Sequence, residues 1–168
     1  YKGSTQDVLD AMEIFSAQFK APSDLEALSK SAILFSNISG QGLKASAETL
    51  TATINQYELA ASQALTVTDS WANVAANSAV TIDDLGKAFG AAGNAAKTAG
   101  LSINELNAMV GVVATSTGKS GPEIGNAFKR MFERSTSDEN AGTLYEKFGI
   151  SVKDQAGNFR PFMQVLED

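Results

Sequence analysis

The sequence predicts a mainly α-helical protein, a compact array of short antiparallel helices with one small β-hairpin near the C-terminus. Three observations carry that expectation. Ser or Thr recurs three residues ahead of Asp or Glu at the head of apolar segments, the pairing that satisfies the free N–H groups of a helix start. Glycine follows several of these segments, where a left-handed residue ends a helix. Between start and stop, apolar residues fall three and four apart, on one helical face.

Ser4 with Asp7 opens the first helix, in which Val8, Met12, Phe15 and Phe19 share a face. After Pro22, Ser23 is the expected cap, with Glu26 reaching back to it. Leu25, Leu28, Ala32 and Phe35 continue the stripe until Gly40 and Gly42. A third helix is expected over residues 46–65, with Leu50, Ile54, Tyr57 and Ala61 on one side. Thr68 then starts a shorter piece that holds the only tryptophan, Trp71. In the second half, Thr81 with Asp84 opens a helix that Gly100 closes, and Ser102 with Glu105 opens one that Gly118 closes. Ser120 with Glu123 opens the next, and Pro122 falls in its first turn, where no intrahelical donor is lost. Thr136 with Glu139 opens a fourth, ending at Gly149. Ile150, Val152 and Phe159 alternate around a polar turn. A two-stranded hairpin is therefore expected within residues 150–160, turning across 153–158 on the positive φ of Gly157. Pro161 starts a last helix through Met163 and Leu166. The starts are not evenly spaced, so no solenoid is expected. Two stretches are distinguished, N-terminal helices over 1–67 and a helical region over 68–168.

Composition narrows the function. Of 168 residues, 13 are basic and 19 acidic, for a net charge of -6, and the basic residues are scattered. Such a chain gains little by releasing counterions from phosphates, so tight nucleic-acid binding is not expected. Absence of Cys excludes disulfides and thiolate sites, and absence of His removes the commonest general base and zinc ligand. No enzyme, cofactor or metal site is expected. The chain begins at Tyr1 rather than Met and is expected to be a segment of a longer protein.

Three features invite a chemical reading. The stretch TSTGKSGPEIG, residues 115–125, contains GKS, as phosphate loops do. Such a loop needs glycine five positions before the GK glycine, and Val113 stands there. It must also leave a strand, whereas Ile103, Leu106, Val110 and Val113 mark a helix. Gly118 therefore reads as a helix stop and Ser120 as the next cap. The second feature is Gly86, Gly90 and Gly93, interleaved with Ala92 and Ala96 in small-residue spacing. In lipid this would be a helix-packing strip, but Asp83, Asp84, Lys87 and Lys97 make membrane burial costly. A closely approaching helix is the simpler expectation, and a membrane-active or secreted helical protein that uses the helix over 82–100 is the alternative. Third, Asp83–Asp84 and Asp138–Glu139 sit at helix starts, where negative charge is favoured, and do not form an acid–base pair. Asp154, Gly157 and Asn158 lack the remaining ligands of a calcium loop. Phe128 and Met131, with Phe132, Phe148, Phe159 and Phe162, read as core. The residues expected to matter are thus structural: Gly86, Gly90, Gly93, Gly118, Ser120, Phe128, Met131, Gly149 and Gly157.

The ordered run SINELNAMVGVVATSTGKSGPEIGNAFKRMFERS, followed by LYEKFGISVKDQAGNFRPFMQVLED, resembles the conserved region of phage tail tape-measure proteins. The matching features are the Ala-Phe-Lys-Arg-Met helix at 127–131, the turn at 148–150 and the Asp-x-x-Gly hairpin with Arg at 154–160. The upstream DSWANVAANSAVTIDDLGKAFGAAGNAAKTAG is also similar, so the resemblance covers about residues 68–168, with a looser fit before. Phe148 departs from the pattern, standing where a smaller aliphatic residue is usual. The resemblance implies a virion structural protein of the tail lumen that sets tail length and is expelled ahead of the DNA. It implies self-association along the tail axis, and contacts with the tail tube, distal baseplate proteins and assembly chaperones. Membrane contact during ejection is compatible with it.

If GKS is a joint between helices, ATP and GTP do not bind at micromolar concentration, and Lys119→Ala leaves the thermal unfolding curve unchanged. Calorimetric titration showing micromolar nucleotide affinity that disappears in the variant would overturn that reading.

Overall fold

A computed structural model describes residues 4–137 and 151–167. Ser4 caps α1 (Thr5–Gln18): the Asp7 N–H donates to the Ser4 hydroxyl at 3.2 Å, and the Ser4 N–H donates to the Asp7 carboxylate at 2.6 Å. Ala11 and Phe15 face the core, while Val8 stays exposed, so the buried stripe is rotated from the expected one. In α2 (Pro22–Ser39) the cap is Ala21, and Ser23 already lies inside the helix. Pro22 decides this, because its fixed φ suits the first helical position. Glu26, freed from capping, pairs with Lys30 at 2.6 Å.

The third expected helix is shorter and earlier than its expected bounds: α3 runs Leu43–Gln56. It ends in a left-handed turn carried by Glu58, at φ 52, with no glycine to announce it. The Leu59 N–H reaches Ile54 O at 2.9 Å and the Glu58 N–H reaches Asn55 O at 3.1 Å, the paired bonds of a Schellman stop. Leu59 packs against the core and Lys97 pairs with Glu58 at 2.7 Å, which together hold a conformation that a side chain normally avoids. A 3₁₀ turn (Ala61–Gln63) leads into α4 (Ala64–Asn77). Thr68 is therefore mid-helix, its buried hydroxyl donating to Ala64 O at 3.1 Å.

The next three helices keep their expected caps. They are α5 (Ile82–Thr98) behind Thr81, α6 (Ile103–Thr117) behind Ser102, and α7 (Gly121–Ser135) behind Ser120. Gly100 (φ 78) and Gly118 (φ 65) end α5 and α6. Thr136 closes α7, its N–H donating to Phe132 O. The helix expected to end at Gly149 falls on residues 138–150, outside the described ones.

The expected hairpin forms no strands among the described residues. A single antiparallel bridge joins Lys153 to Phe159 around a turn in which the Asp154 carboxylate accepts from the Ala156 and Asn158 N–H groups. The Arg160 N–H donates to Val152 O at 2.8 Å, and the next N–H in line to bond across the arms, that of Phe162, goes to Ala99 O instead, so the ladder stops there. A short α8 (Phe162–Glu167) follows, tied back by the Phe162 N–H to Ala99 O at 2.8 Å.

Trp71 lies at the centre, fully buried, with ring centroids of Phe35 and Phe89 5.3 and 5.4 Å away. At one end, Phe132 lies between Phe128 (stacked, 5.7 Å) and Phe162 (edge-on, 5.3 Å). Such aromatic contacts add about 0.5–1.5 kcal/mol each beyond the area they bury.

Candidate functional site: a backbone contact between two helices

The most extensive helix pairing is α5 against α7. It rests on SGPEIG, residues 120–125, which place glycines one helical turn apart on the buried face of α7. A Cβ on Gly121 would lie 2.0 Å from the carbonyl oxygen of Asp84. One on Gly125 would lie 2.7 Å from the carbonyl oxygen of Ala88 and 2.8 Å from its Cα. Asp84 and Ala88 are themselves one turn apart on α5, so two backbones meet along matched rows. Backbone atoms cannot swing aside as side-chain ends do, so only glycine fits at either position. Ile124, Phe128 and Phe132 continue the same face of α7 into the core.

Asp84 locks the contact. Its carboxylate accepts the Gly121 N–H at 2.9 Å and the Thr81 hydroxyl at 2.7 Å, and its own N–H donates to Thr81 Oγ1 at 3.0 Å. Thr81 caps α5, and the Asp84 side chain holds that capping hydroxyl while it satisfies the first free donor of α7. Burial pushes its carboxyl upward. The hydrogen bonds from Thr81 and Gly121 and the charge of Lys87 outweigh that, holding it below the ordinary value of 3.8.

The same geometry explains GKS. The Glu123 carboxylate accepts from the Ser120 N–H (3.1 Å) and hydroxyl (2.8 Å), and the exposed Lys119 ammonium lies 3.4 Å from Glu123. A phosphate at this helix start would meet the carboxylates of Glu123 and Asp84, and like charges exclude it. Among the described residues, no group of three or more acidic side chains is placed to hold a metal.

The other residues singled out from sequence divide by what surrounds them. Gly86 is buried, and a Cβ there would press on Thr49 and Phe35. Gly93 is buried against Gln56 and Tyr57. Gly90 is exposed, with nothing within 4 Å of a Cβ. Gly118 and Gly157 have positive φ and open space, Met131 is half-buried against the core, and Gly149 lies outside the described residues. Gly121 and Gly125 are not among the residues expected to matter, and Asp84 is expected only as a charge at a helix start. Their signal was present as the four-residue glycine spacing directly after a cap. Gly111 is comparable, its Cβ position 2.9 Å from Val74 of α4.

Substitution to alanine separates these roles. Gly90→Ala stabilises by about 0.5–1 kcal/mol, because an exposed helical glycine gives up only chain entropy. Gly125→Ala destabilises by about 1–3 kcal/mol, and Gly121→Ala reaches at least the top of that range. Denaturant unfolding reads all three.

The lowered pKa of Asp84 also sets a pH dependence. A carboxyl whose folded pKa lies below its unfolded value adds stability that is fully present above the unfolded value. That stability is lost as pH falls through the folded one. The stability gap between the wild type and Asp84→Asn therefore narrows as pH falls through the ordinary carboxylate value of 3.8 and on through the lower folded one. A constant gap across that range would show that the charge of Asp84 plays no part.

A family model described as phage-related minor tail protein matches residues 1–168. No solved structure matches the chain.

Proposed function

The chain belongs to the phage-related minor tail protein family, and from that premise we propose that it is a segment of a tape-measure protein. Family membership makes it a tail protein of the virion, associated with other tail proteins and not an enzyme. In the finer reading, the parent chain lies in the tail lumen, sets tail length and leaves ahead of the DNA. It associates with copies of itself along the axis, with tail-tube and distal baseplate proteins, and with chaperones before assembly. The ordered run over 68–168, inside a chain matched from end to end, is the observation that carries this reading.

The helical packing supports a particular place in such a protein. A straight helix advances about 1.5 Å per residue. Here α5, α6 and α7 fold back on one another, locked at Gly121 and Gly125, so the segment reaches less far per residue than a rod. It is a docking or packing module of the ruler. The alternative use of residues 82–100 in a membrane is disfavoured by their burial. Ile82, Leu85, Gly86, Ala88, Phe89, Ala92, Gly93 and Ala96 are all covered within the protein. No helix among the described residues is long and apolar enough to cross a membrane.

Electron microscopy of mutant phage tests the module. In-frame deletions in a rod portion of the parent shorten tails in proportion to the residues removed. Phe132→Asp in this segment instead prevents tail assembly or infection, because it places an unpaired charge in a closed core at a cost of several kcal/mol. Full-length infectious tails would refute the module, and uniformly shorter tails would make this segment part of the ruler.

A further inference from the structure

The outer faces of α1 and α7 carry opposite, unmatched charge. Along α7, Glu123 is held by Ser120 and Lys119, and Glu133 faces Lys129 at 3.9 Å. Arg130 and Arg134 remain, both exposed, one turn apart, with no ion pair among the described residues. Like charges at that spacing oppose the helix that bears them. Along α1 the pattern is reversed: Asp7, Asp10 and Glu13 occur with no basic residue. Asp7 is occupied by the cap, and the half-buried Asp10 accepts from the Gln6 amide at 2.6 Å, so Asp10 and Glu13 have no cation on this helix and flank Leu9, a leucine 57% exposed. Within one chain the faces serve different neighbours, since α1 packs on α2 and α3 whereas α7 packs on α5 and α6.

We propose that a second copy of this chain docks the outer face of its α1 on the outer face of α7. Asp10 and Glu13 meet Arg130 and Arg134, and Leu9 is covered at their side, over the exposed Ala127. A foreign acidic partner would account for the arginines and leave the acidic face unexplained, whereas a second copy accounts for both. Because the two faces differ, the contact is head-to-tail, and each copy can use one face toward each of two neighbours. This rests on the reading that copies of the chain associate, and names the surfaces that do it. Exposed ion pairs each contribute little, so a single contact is weak, on the order of millimolar. It gains strength where repeated neighbours raise its effective concentration.

Sedimentation equilibrium of the chain at low salt tests the proposal. The apparent mass should rise above the monomer with protein concentration, and the association should weaken about tenfold or more on going to about 0.5 M salt. Arg130→Glu with Arg134→Glu should abolish association, as should Asp10→Arg with Glu13→Arg, each with unchanged circular dichroism. Mixing the two variants should restore it, since each then carries the complement of the other. Should a charge reversal fail to fold, Arg130→Gln with Arg134→Gln should still weaken association about tenfold. A wild type that stays monomeric at millimolar concentration and low salt would overturn both the interface and the copy-to-copy reading. Self-association that ignores these charges, or that mixing does not restore, would overturn the interface alone.

Discussion

The rest of the structure depends on the absence of two side chains. With hydrogen at Gly121 and Gly125, α7 approaches α5 until backbone meets backbone. At that distance the Asp84 carboxylate can hold the Thr81 cap of its own helix and the start of the next. A methyl group at Gly121 would push the helices apart and break that hydrogen bond in the same movement. Packing and polar satisfaction are therefore one constraint here, and the seating of Ile124, Phe128 and Phe132 follows from it.

Away from that contact the core is ordinary helix packing organised around Trp71. Gly86 lets α5 sit close to Thr49 and Phe35, and Gly111 lets α6 sit close to Val74. Each glycine within a helix costs about 1 kcal/mol relative to alanine. Where the glycine is buried, close approach offsets that cost. At Gly90 no neighbour does so. The C-terminal residues rest on this core through Pro161 over Gly100 and the edge of Phe162 on Phe132.

The chemistry that is present suits a tail protein. Polar side chains at helix starts are occupied by caps, and the one motif with a catalytic look, GKS, is a stop followed by a start. With a net charge of -6 the chain has little attraction for a phosphate backbone. What it offers partners is shape and surface charge.

The sequence by itself determined the helical class, the starts at Ser4, Thr81, Ser102 and Ser120, and the stops at Gly40, Gly100 and Gly118. Each of these is fixed within a few residues, by a side chain closing on a nearby N–H or by a glycine free to take positive φ. The joint reading of GKS came from the same local rules. The site was less legible. Small-residue spacing pointed to the strip on α5, and the equivalent spacing on α7 went unused because it coincided with a cap. Tertiary structure alone decided the end of α3, where Glu58 takes a glycine's conformation because the half-buried Leu59 packs on the core and Lys97, from another helix, pairs with the carboxylate. It also decided which glycines touch a neighbour, and it limited the expected hairpin to one bridge by drawing the Phe162 N–H onto Ala99 O. Caps and stops are local and can be read from a few letters. A glycine's neighbour and a strained turn's support come from distant parts of the chain, and their positions exist only once it has folded.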